Sequence, residues 1–476
     1  MITYKTFQDF EKVGGSSPNV IKDVINSWVT SETHHTAMIA DEYDRQRNPF
    51  INNYVKTILS LTGEPLLDFT ASNNKIASNF FHRLNKQRCT YSLGNGVFFA
   101  KDNIKNKFAS DFDTVLKDAG YYALIHGISF IYTGDKQYLF KATEFAPLWD
   151  EETGKLRAGV KFWRLSPEKP LSAVLYEEDG YTKYQERNND LVQISVKTQY
   201  KVNTNTTNAF GTEVVGYDNW GGALPIVPLF GNNLKQSTLI GMKEKIDCFD
   251  LVKSGFANDL SDITEIYWLV ENYGGMTDDD LARFRDRIRI NHIASIDTSQ
   301  GGKVSPYRQE IPYQARKVFL DDIRNSIYED FGALDVHIVA AGATNDHIDA
   351  AYQPMDENAD DFEYQVIDCV QKIGQLLGID NQDAIPQFKR NRISNQKEQT
   401  DMVLSAAQYL DDETILRHLP FLSVDEIDEI MKRKEAEEAE RYENVEEVSA
   451  NEIGDSDNTS GENAPADTEE MQVLRK

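Results

Sequence analysis

Three short stretches hold the residue types from which chemistry is usually built. Asp278-Asp279-Asp280 sets three carboxylates in a row, the kind of cluster that holds Mg2+. His34-His35 and the run from Asp346 through His347 to Asp349 set imidazoles in pairs or among acids, the material of metal ligation and proton transfer. Each also has a plainer reading. Asp280 stands three residues after Thr277, at a helix start where the dipole favours acids. His34-His35 falls on a mixed-charge, exposed-looking helix, where solvation or capping accounts for it. The 346–349 cluster has no nucleophile beside it. The chain has no G-x-x-x-x-G-K-[ST] phosphate loop, no H-E-x-x-H and no G-x-S-x-G. The reading is therefore a protein without catalytic residues, cofactor or metal. Carboxylates converging from separate elements on a metal, as in a nuclease, remain the alternative.

Charge narrows the field further. The 476 residues carry a net charge of −27, and a nucleic-acid binder needs Lys and Arg against phosphate. Contact with DNA is thus expected to slide rather than grip. Part of the excess sits at the end, where residues 432–476 hold fourteen acids and six bases. The window from Ala340 to Glu363 holds seven acids (Asp346, Asp349, Asp356, Glu357, Asp360, Asp361 and Glu363) and no Lys or Arg. Arg283, Arg285, Arg287 and Arg289 recur at two-residue steps, which spreads them around a helix and suits an acidic partner or a neighbouring copy better than a DNA patch. Cys89, Cys248 and Cys369 are far apart and odd in number, so free thiols are expected. No apolar run approaches the roughly 18 residues of a membrane span. The opening MITYKTFQDFEKVGG lacks a basic-then-apolar leader, which points to a chain kept inside a cell.

Periodicity supplies the elements that would position these groups. Ile246, Phe249, Val252, Phe256, Leu260 and Ile263 recur at three- and four-residue steps and predict a helix over about Ser237–Asp262. Phe319, Ile323, Ile327 and Phe331 predict a second over about Pro312–Ala333. The insert between them returns the chain to its starting point, so the two helices are expected to run antiparallel. Within it, Thr277 caps a short helix, Ile288–Asp297 alternates as a strand, and a second strand follows the turn at 299–303. Upstream, Ser17-Pro18 opens a helix with Val20, Ile21, Val24, Ile25 and Trp28 inward. Thr33–Arg47 reads as an exposed helix and Asn73–Lys86 as a helix with Ile76, Phe80, Phe81 and Leu84 on one side. Short strands follow at Ile128–Tyr132, Tyr138–Lys141, Gly159–Leu165, Ala173–Tyr176 and Val192–Val196. Lys201–Phe210 reads as a polar loop, and Leu224–Phe230 as extended, because Pro225 and Pro228 bias their predecessors away from helix. Phe362–Leu377 is a helix with Tyr364, Ile367, Val370, Ile373 and Leu377 facing a core. Asp401–Tyr409, Asp412–His418 and Ser423–Glu440 form a helical group, and Val445–Thr468 is expected to be disordered. The class is α+β.

Five local patterns, in order, resemble the portal proteins of long-tailed bacteriophages. They are Asn52-Asn53-Tyr54-Val55-Lys56 with Gly63-Glu64-Pro65; the Pro-rich Leu224–Phe230; DCFDLVKSGFANDLSD at 247–262; Ala341-Gly342-Ala343-Thr344 through Asp356; and LDDETIL at 410–416 with Leu419-Pro420-Phe421-Leu422. Cys248-Phe249 departs from the usual aromatic-Asp pair, and Asn345-Asp346-His347 stands where small or apolar residues are commoner. The resemblance implies a portal fold with an α/β wing (1–236), an antiparallel helical stem (237–262 and 312–334) and a small α/β clip (263–311). It further implies a tunnel loop (335–356), a helix crossing the wing (357–385), a helical crown (386–444) and an acidic tail (445–476). About twelve copies would close a ring. Gly342, Ala343, Thr344, Asn345, Asp346 and His347 would then lie in the tunnel loop, with residues 337–354 as the constriction and its acids repelling phosphate. Lys243, Lys253, Lys317 and Arg324, with Lys245 and Arg316, would face the channel, and Arg283, Arg285, Arg287 and Arg289 would meet clip partners. The implied partners are double-stranded viral DNA bound non-specifically, the terminase large subunit, a head-completion adaptor, and major capsid and scaffolding proteins. The implied place is the capsid vertex of the virion, after assembly in host cytoplasm, with no membrane. Another structural head protein is the second alternative.

Overall fold

Alternating apolar residues between Phe145 and Gln193 close into a five-stranded antiparallel sheet, in the order Asp190–Gln193, Gly180–Arg187, Ser172–Glu177, Leu156–Trp163, Phe145–Trp149. In this computed structural model the described residues are 5–434 apart from 60–63, 68–71, 135, 201, 208–212, 218–219, 263–266, 272–276, 278, 281–282, 284–302, 308–311, 336–344, 393–395, 420–426 and 428. The helix Pro18–Val29, with Ser17 before it and Pro18 in its first turn, lays Val20, Ile21, Val24, Ile25 and Trp28 into the core that this sheet shares. A second, three-stranded sheet sets Ile128–Thr133 between Gln137–Lys141 and Ile226–Phe230. The helix Phe112–His126 feeds it through Gly127, which sits at φ +87°, where a Cβ would lie 2.7 Å from the backbone of Gln236. The strands Phe145–Trp149 and Gly180–Arg187 and this helix were not among the sequence expectations.

The chain falls into two units, residues 1–340 with 349–392, and residues 341–348 with 393–476. The second, taken by itself, holds the helix Gln396–Ala406, a 3-10 turn at Ala407–Tyr409 and the helix Asp412–His418. Asp411 caps the last of these, accepting from the Thr414 N–H at 3.1 Å and its hydroxyl at 2.6 Å. The expected disordered segment 445–468 lies outside the described residues.

Three local expectations are corrected. Thr33–Arg47 is not an exposed helix: over Glu32–Asp44 it buries His34, Ala37, Ala40 and Tyr43. Its acids meet histidines across the core boundary, Asp41 with His126 at 2.7 Å and Asp44 with His82 at 3.0 Å. Lys201–Phe210 is not a loop; Val202–Thr207 pairs with Glu213–Tyr217 as a hairpin, where alternating Thr suits a strand. Residues 73–79 are not helical, and the expected helix begins only at Phe80, running to Leu93.

The physical reason for the last difference lies on the helix Lys243–Asp262. The backbone N–H groups of Asn74, Ile76 and Ser78 donate to Asn258 Oδ1 at 2.5 Å, Ser254 Oγ at 3.0 Å and Asp250 Oδ1 at 2.9 Å. Two extended residues advance about 6.6 Å. Four helical residues advance about 6 Å. An every-second-residue strand therefore matches an every-fourth-residue strip, running in the opposite direction. Asn74 adds a bond from Nδ2 to Ser261 Oγ at 3.2 Å. The donors that a helix over 73–79 would use are spent on this ladder.

The strip is itself braced. Asp250 is fully buried and Asp247 nearly so. Asn48 donates from Nδ2 to Asp247 at 3.0 Å and to Asp250 at 2.8 Å, while its Oδ1 caps the helix Pro49–Asn53. Tyr43 donates to Asp247 at 2.5 Å, and Lys243 at 2.7 Å. Burial lifts Asp250 above the ordinary carboxylate range, opposed by hydrogen bonds from Asn48 and Ser78. In residue-resolved amide exchange, Asn74, Ile76 and Ser78 should be slow, and Lys75 and Ala77 fast. Ser254→Ala should speed exchange at Ile76 about tenfold or more, the loss of one buried hydrogen bond. Uniform exchange across 74–78 would contradict the ladder.

Candidate channel site on the stem helices

The two helices expected to form a stem are Lys243–Asp262 and Tyr313–Phe331, each about 30 Å long. Side-chain pairing shows that they run antiparallel. Near the start of the first, Lys245 reaches Asp330 and, at 2.9 Å, Ser326, close to the end of the second. At the other end, Arg316 pairs with Asp259 and Phe256 meets Tyr313 at a ring separation of 6.0 Å. The second helix ends where Gly332 adopts φ +60° as a left-handed cap.

The expected apolar stripes are covered at one end only. Ile246, Phe249, Ile327, Tyr328 and Phe331 join Phe80, Phe81 and Leu84 in a buried cluster. Ile323 is partly buried against it. At the far end, Leu260 is 51% exposed, Tyr313 51%, Val318 66% and Phe319 45%. Phe319, on the expected stripe, stays 45% exposed.

The cations expected to face a channel are mostly engaged within the chain. Lys243 pairs with Asp247, Lys245 with Asp330, Arg316 with Asp259, and Arg324 with Asp335 at 2.7 Å. Lys253 is exposed and lies 5.5 Å from the Phe249 ring centre. Lys317 is exposed. These two keep their charge toward solvent.

Between the stem helices, Tyr267–Glu271 pairs antiparallel with Lys303–Tyr307. The second strand matches the expectation; the first was not foreseen, and 288–297 lies outside the described residues. Asp280 Oδ2 accepts both from the Thr277 hydroxyl at 2.7 Å and from the Thr277 N–H at 3.2 Å, half of the capping pair expected there. Arg283 is exposed; Arg285, Arg287 and Arg289 lie outside the described residues. Among the described residues no group of three His, Cys, Asp or Glu is placed to hold a metal. Cys89 and Cys369 are buried free thiols, and burial pushes Cys89 up to about 12.

The segment expected as a loop through 356 is helical from Asn345, within one helix Asn345–Leu376 that contains Pro354. Gly342, Ala343 and Thr344 lie outside the described residues; Asp346 and His347 are exposed in its first turn. The later half packs Phe362, Val366, Cys369, Val370 and Ile373 into a core, but Tyr364 is 68% exposed rather than inward.

The acids of this helix do not form a bare negative wall. Arg390 forks onto Glu363 with bonds of 3.1 and 2.9 Å, and also reaches Asp356 at 3.0 Å and Asp360. Arg392 binds Asp356 and, at 3.2 Å, Asp349, and donates from Nε to the Tyr91 hydroxyl at 2.9 Å. Tyr91 in turn donates to Asp356 at 2.7 Å and stacks on Tyr352. Four of the seven acids thus meet two arginines from the segment Lys389-Arg390-Asn391-Arg392, a basic cluster that went unremarked in the sequence. Burial pulls Asp356 upward, yet hydrogen bonds from Arg392 and Tyr91 hold it below the usual carboxylate range. A carboxyl depressed in this way adds stability above its unfolded value, near pH 4, and loses it as pH falls through the folded value. Arg390→Gln should therefore lower stability by about 1–3 kcal/mol at neutral pH, measured by urea unfolding. The gap from the unaltered protein should narrow below about pH 4.

Comparison with known proteins places these features in context. The profile of the phage portal protein family, SPP1 Gp6-like, matches residues 51–440. The portal protein of Clostridium phage phiCD119 is 28% identical over 211 residues, 43% of this chain and 46% of that protein. The portal protein of Bacillus phage SPP1 is 25% identical over 330 residues, 65% of this chain and 63% of that protein. The aligned parts thus span roughly half to two-thirds of those relatives' own lengths. A chain from the neck of an empty GTA particle, computed with C6 symmetry, shares 8% identity at a TM-score of 0.39, covering 73% of this chain and 91% of that one, a likeness too slight to argue from. No helix among the described residues is long and apolar enough to cross a membrane. With a profile match running from within the helix Pro49–Asn53 through the helices Lys243–Asp262 and Tyr313–Phe331 and on to residue 440, the chain belongs to the SPP1 Gp6-like phage portal protein family.

Proposed function

We propose that about twelve copies of this chain close a ring at one capsid vertex, through which viral DNA is packaged and later ejected. The carrying observation is the apolar far half of the stem. Leu260, Tyr313, Val318 and Phe319 are each 45% or more exposed in that half, apolar surface of the kind a partner covers. Neighbouring stems of the same kind supply one, as a repeated head-to-tail contact that closes on itself. Family membership supports the same reading.

In that ring the stem wall would present few free cations to a duplex. Lys243, Lys245, Arg316 and Arg324 are neutralised within the chain, leaving Lys253 and Lys317 as weak, sequence-blind phosphate contacts. Few contacts mean little counterion release and low affinity, which suits DNA that must pass. The segment from Gly342 to His347 would form the constriction. The insert bearing Arg283, Arg285, Arg287 and Arg289 would dock the terminase large subunit and then a head-completion adaptor. Major capsid and scaffolding proteins would surround the ring in the virion, with assembly in host cytoplasm.

Averaged particle images of the purified chain should show closed rings with a central hole. Phe319→Asp should abolish rings while leaving the monomer's melting unchanged, because that side chain is half exposed. Ile327→Asp should instead destabilise the monomer itself by about 3–5 kcal/mol, since it buries an unpaired charge. Normal rings from Phe319→Asp would remove the stem contact from the account, and a wild-type protein that stays monomeric would remove the ring.

A further inference from the structure

The first stem helix is held on two opposite sides. Asp250, Ser254 and Asn258 take the N–H groups of Ser78, Ile76 and Asn74. Lys245, Phe256 and Asp259 instead meet Asp330, Tyr313 and Arg316 of the second stem helix. At about 100° per residue the two sets are centred roughly 170° apart around the helix. Asn48 also binds Asp250, and the Lys75 ammonium donates to the Asn52 carbonyl, so residues 48–52 lie with 74–78. The helix pair therefore has that segment on one side and the second helix on the other.

Each side carries a surface that nothing in the chain covers. On the second helix, Tyr313, Arg316 and Ser326 turn toward the first. That leaves Val318, Asp321, Asp322, Asn325 and Glu329 on the outward face. All five are exposed, Val318 by 66%. Its three acids form no ion pair among the described residues. On the opposite side, Phe50 is 42% exposed, Tyr54 42% and Val55 50%. Arg47, Lys56 and Lys75 flank this apolar strip and likewise form no ion pair among the described residues. Lys317 at the edge of the first face and Glu64 beyond the second carry the other sign, so each face keeps an excess of one charge.

The two faces also share a level. Asn48 stands beside Asp250, and Lys75 follows Asn74 beside Asn258. The second helix spans the same length of the first, from Lys245 opposite Asp330 to Asp259 opposite Arg316. Rotation about a ring axis parallel to the stem preserves height, so a contact repeated around a ring must join faces at one level.

We propose that the outward face of the second stem helix in one copy, with Val318, Asp321 and Asp322, docks on the face with Phe50, Tyr54, Arg47 and Lys75 in the next copy. A second copy is the occupant because this chain carries its own complement: apolar against apolar, and unpaired acids against unpaired bases, on opposite sides of one body. That is what a head-to-tail contact needs. Pairing either face with itself would set like charges together. The inference rests on the ring reading above and names the two faces that make its contact.

The test is a charge swap in the full chain, with rings counted in averaged particle images. Asp321→Lys with Asp322→Lys should cut the ring fraction about tenfold or more, and so should Arg47→Glu with Lys75→Glu. All four substitutions in one chain should restore rings, because the reversed faces match again. The four positions are exposed, and melting of each variant is compared with the unaltered chain. If a reversed pair melts lower, Asp321→Asn with Asp322→Asn, or Arg47→Gln with Lys75→Gln, replaces it, and each should still reduce rings. Rings indifferent to either pair, or a fourfold variant that folds but stays without rings, would overturn this contact and leave the ring standing. An unaltered chain that forms no rings would overturn the ring reading, and this contact with it.

Discussion

The stem depends on a set of side-chain oxygens that capture main-chain donors. Asp250, Ser254 and Asn258 sit four residues apart on one face of the first stem helix and take the N–H groups of Asn74, Ile76 and Ser78. Without those N–H groups the buried Asp250 would keep only its bond from Asn48, and the buried Ser254 hydroxyl would lose a donor it accepts from. With them the extended segment is pinned at its far end and delivers Phe80 onto Phe249, at a ring separation of 5.0 Å, and onto Tyr328. The base of the stem, the helix Phe80–Leu93 and the helix Glu32–Asp44 then share one apolar cluster. The strip thus ties the helix Lys243–Asp262 to residues 74–93 through both polar rungs and ring contacts.

Charge is handled locally throughout. Most stem cations meet an acid of their own chain, and the acids of the long helix meet Arg390 and Arg392. The net charge of −27 therefore overstates how negative any one of these surfaces is. A count over a window reads total charge; function depends on what is left after pairing.

Much of the architecture was legible where pattern and packing agree. The helix Pro18–Val29 shows its stripe, cap and proline, and each of the five predicted inward residues is buried. Both stem helices were legible for the same reason, within a few residues at their ends. Residues 73–79 were not. Ile76 completes a helical spacing with Phe80 and Phe81, but its backbone donor is claimed by Ser254, 178 residues away, and no local pattern announces that. The partners of Asp356 and Glu363 were hidden likewise, because Arg390 and Arg392 lie outside any window centred on the acids. His34 was read from its charged neighbours, whereas its burial follows from the strand connection that brings Thr143 within 3.3 Å. For the candidate site, the stem face was legible as apolar; which half of it lacks cover followed only from the three-dimensional packing.

A ladder that reads only main-chain N–H groups is indifferent to most side chains it holds. Positions 76 and 78 could drift through many residue types over evolutionary time with the rungs intact, while the oxygens at 250, 254 and 258 could not. Proline is the exception, because it brings no hydrogen to donate. Sequence divergence along this edge would then be lopsided, permissive on the grasped segment and strict on the helix that grasps it.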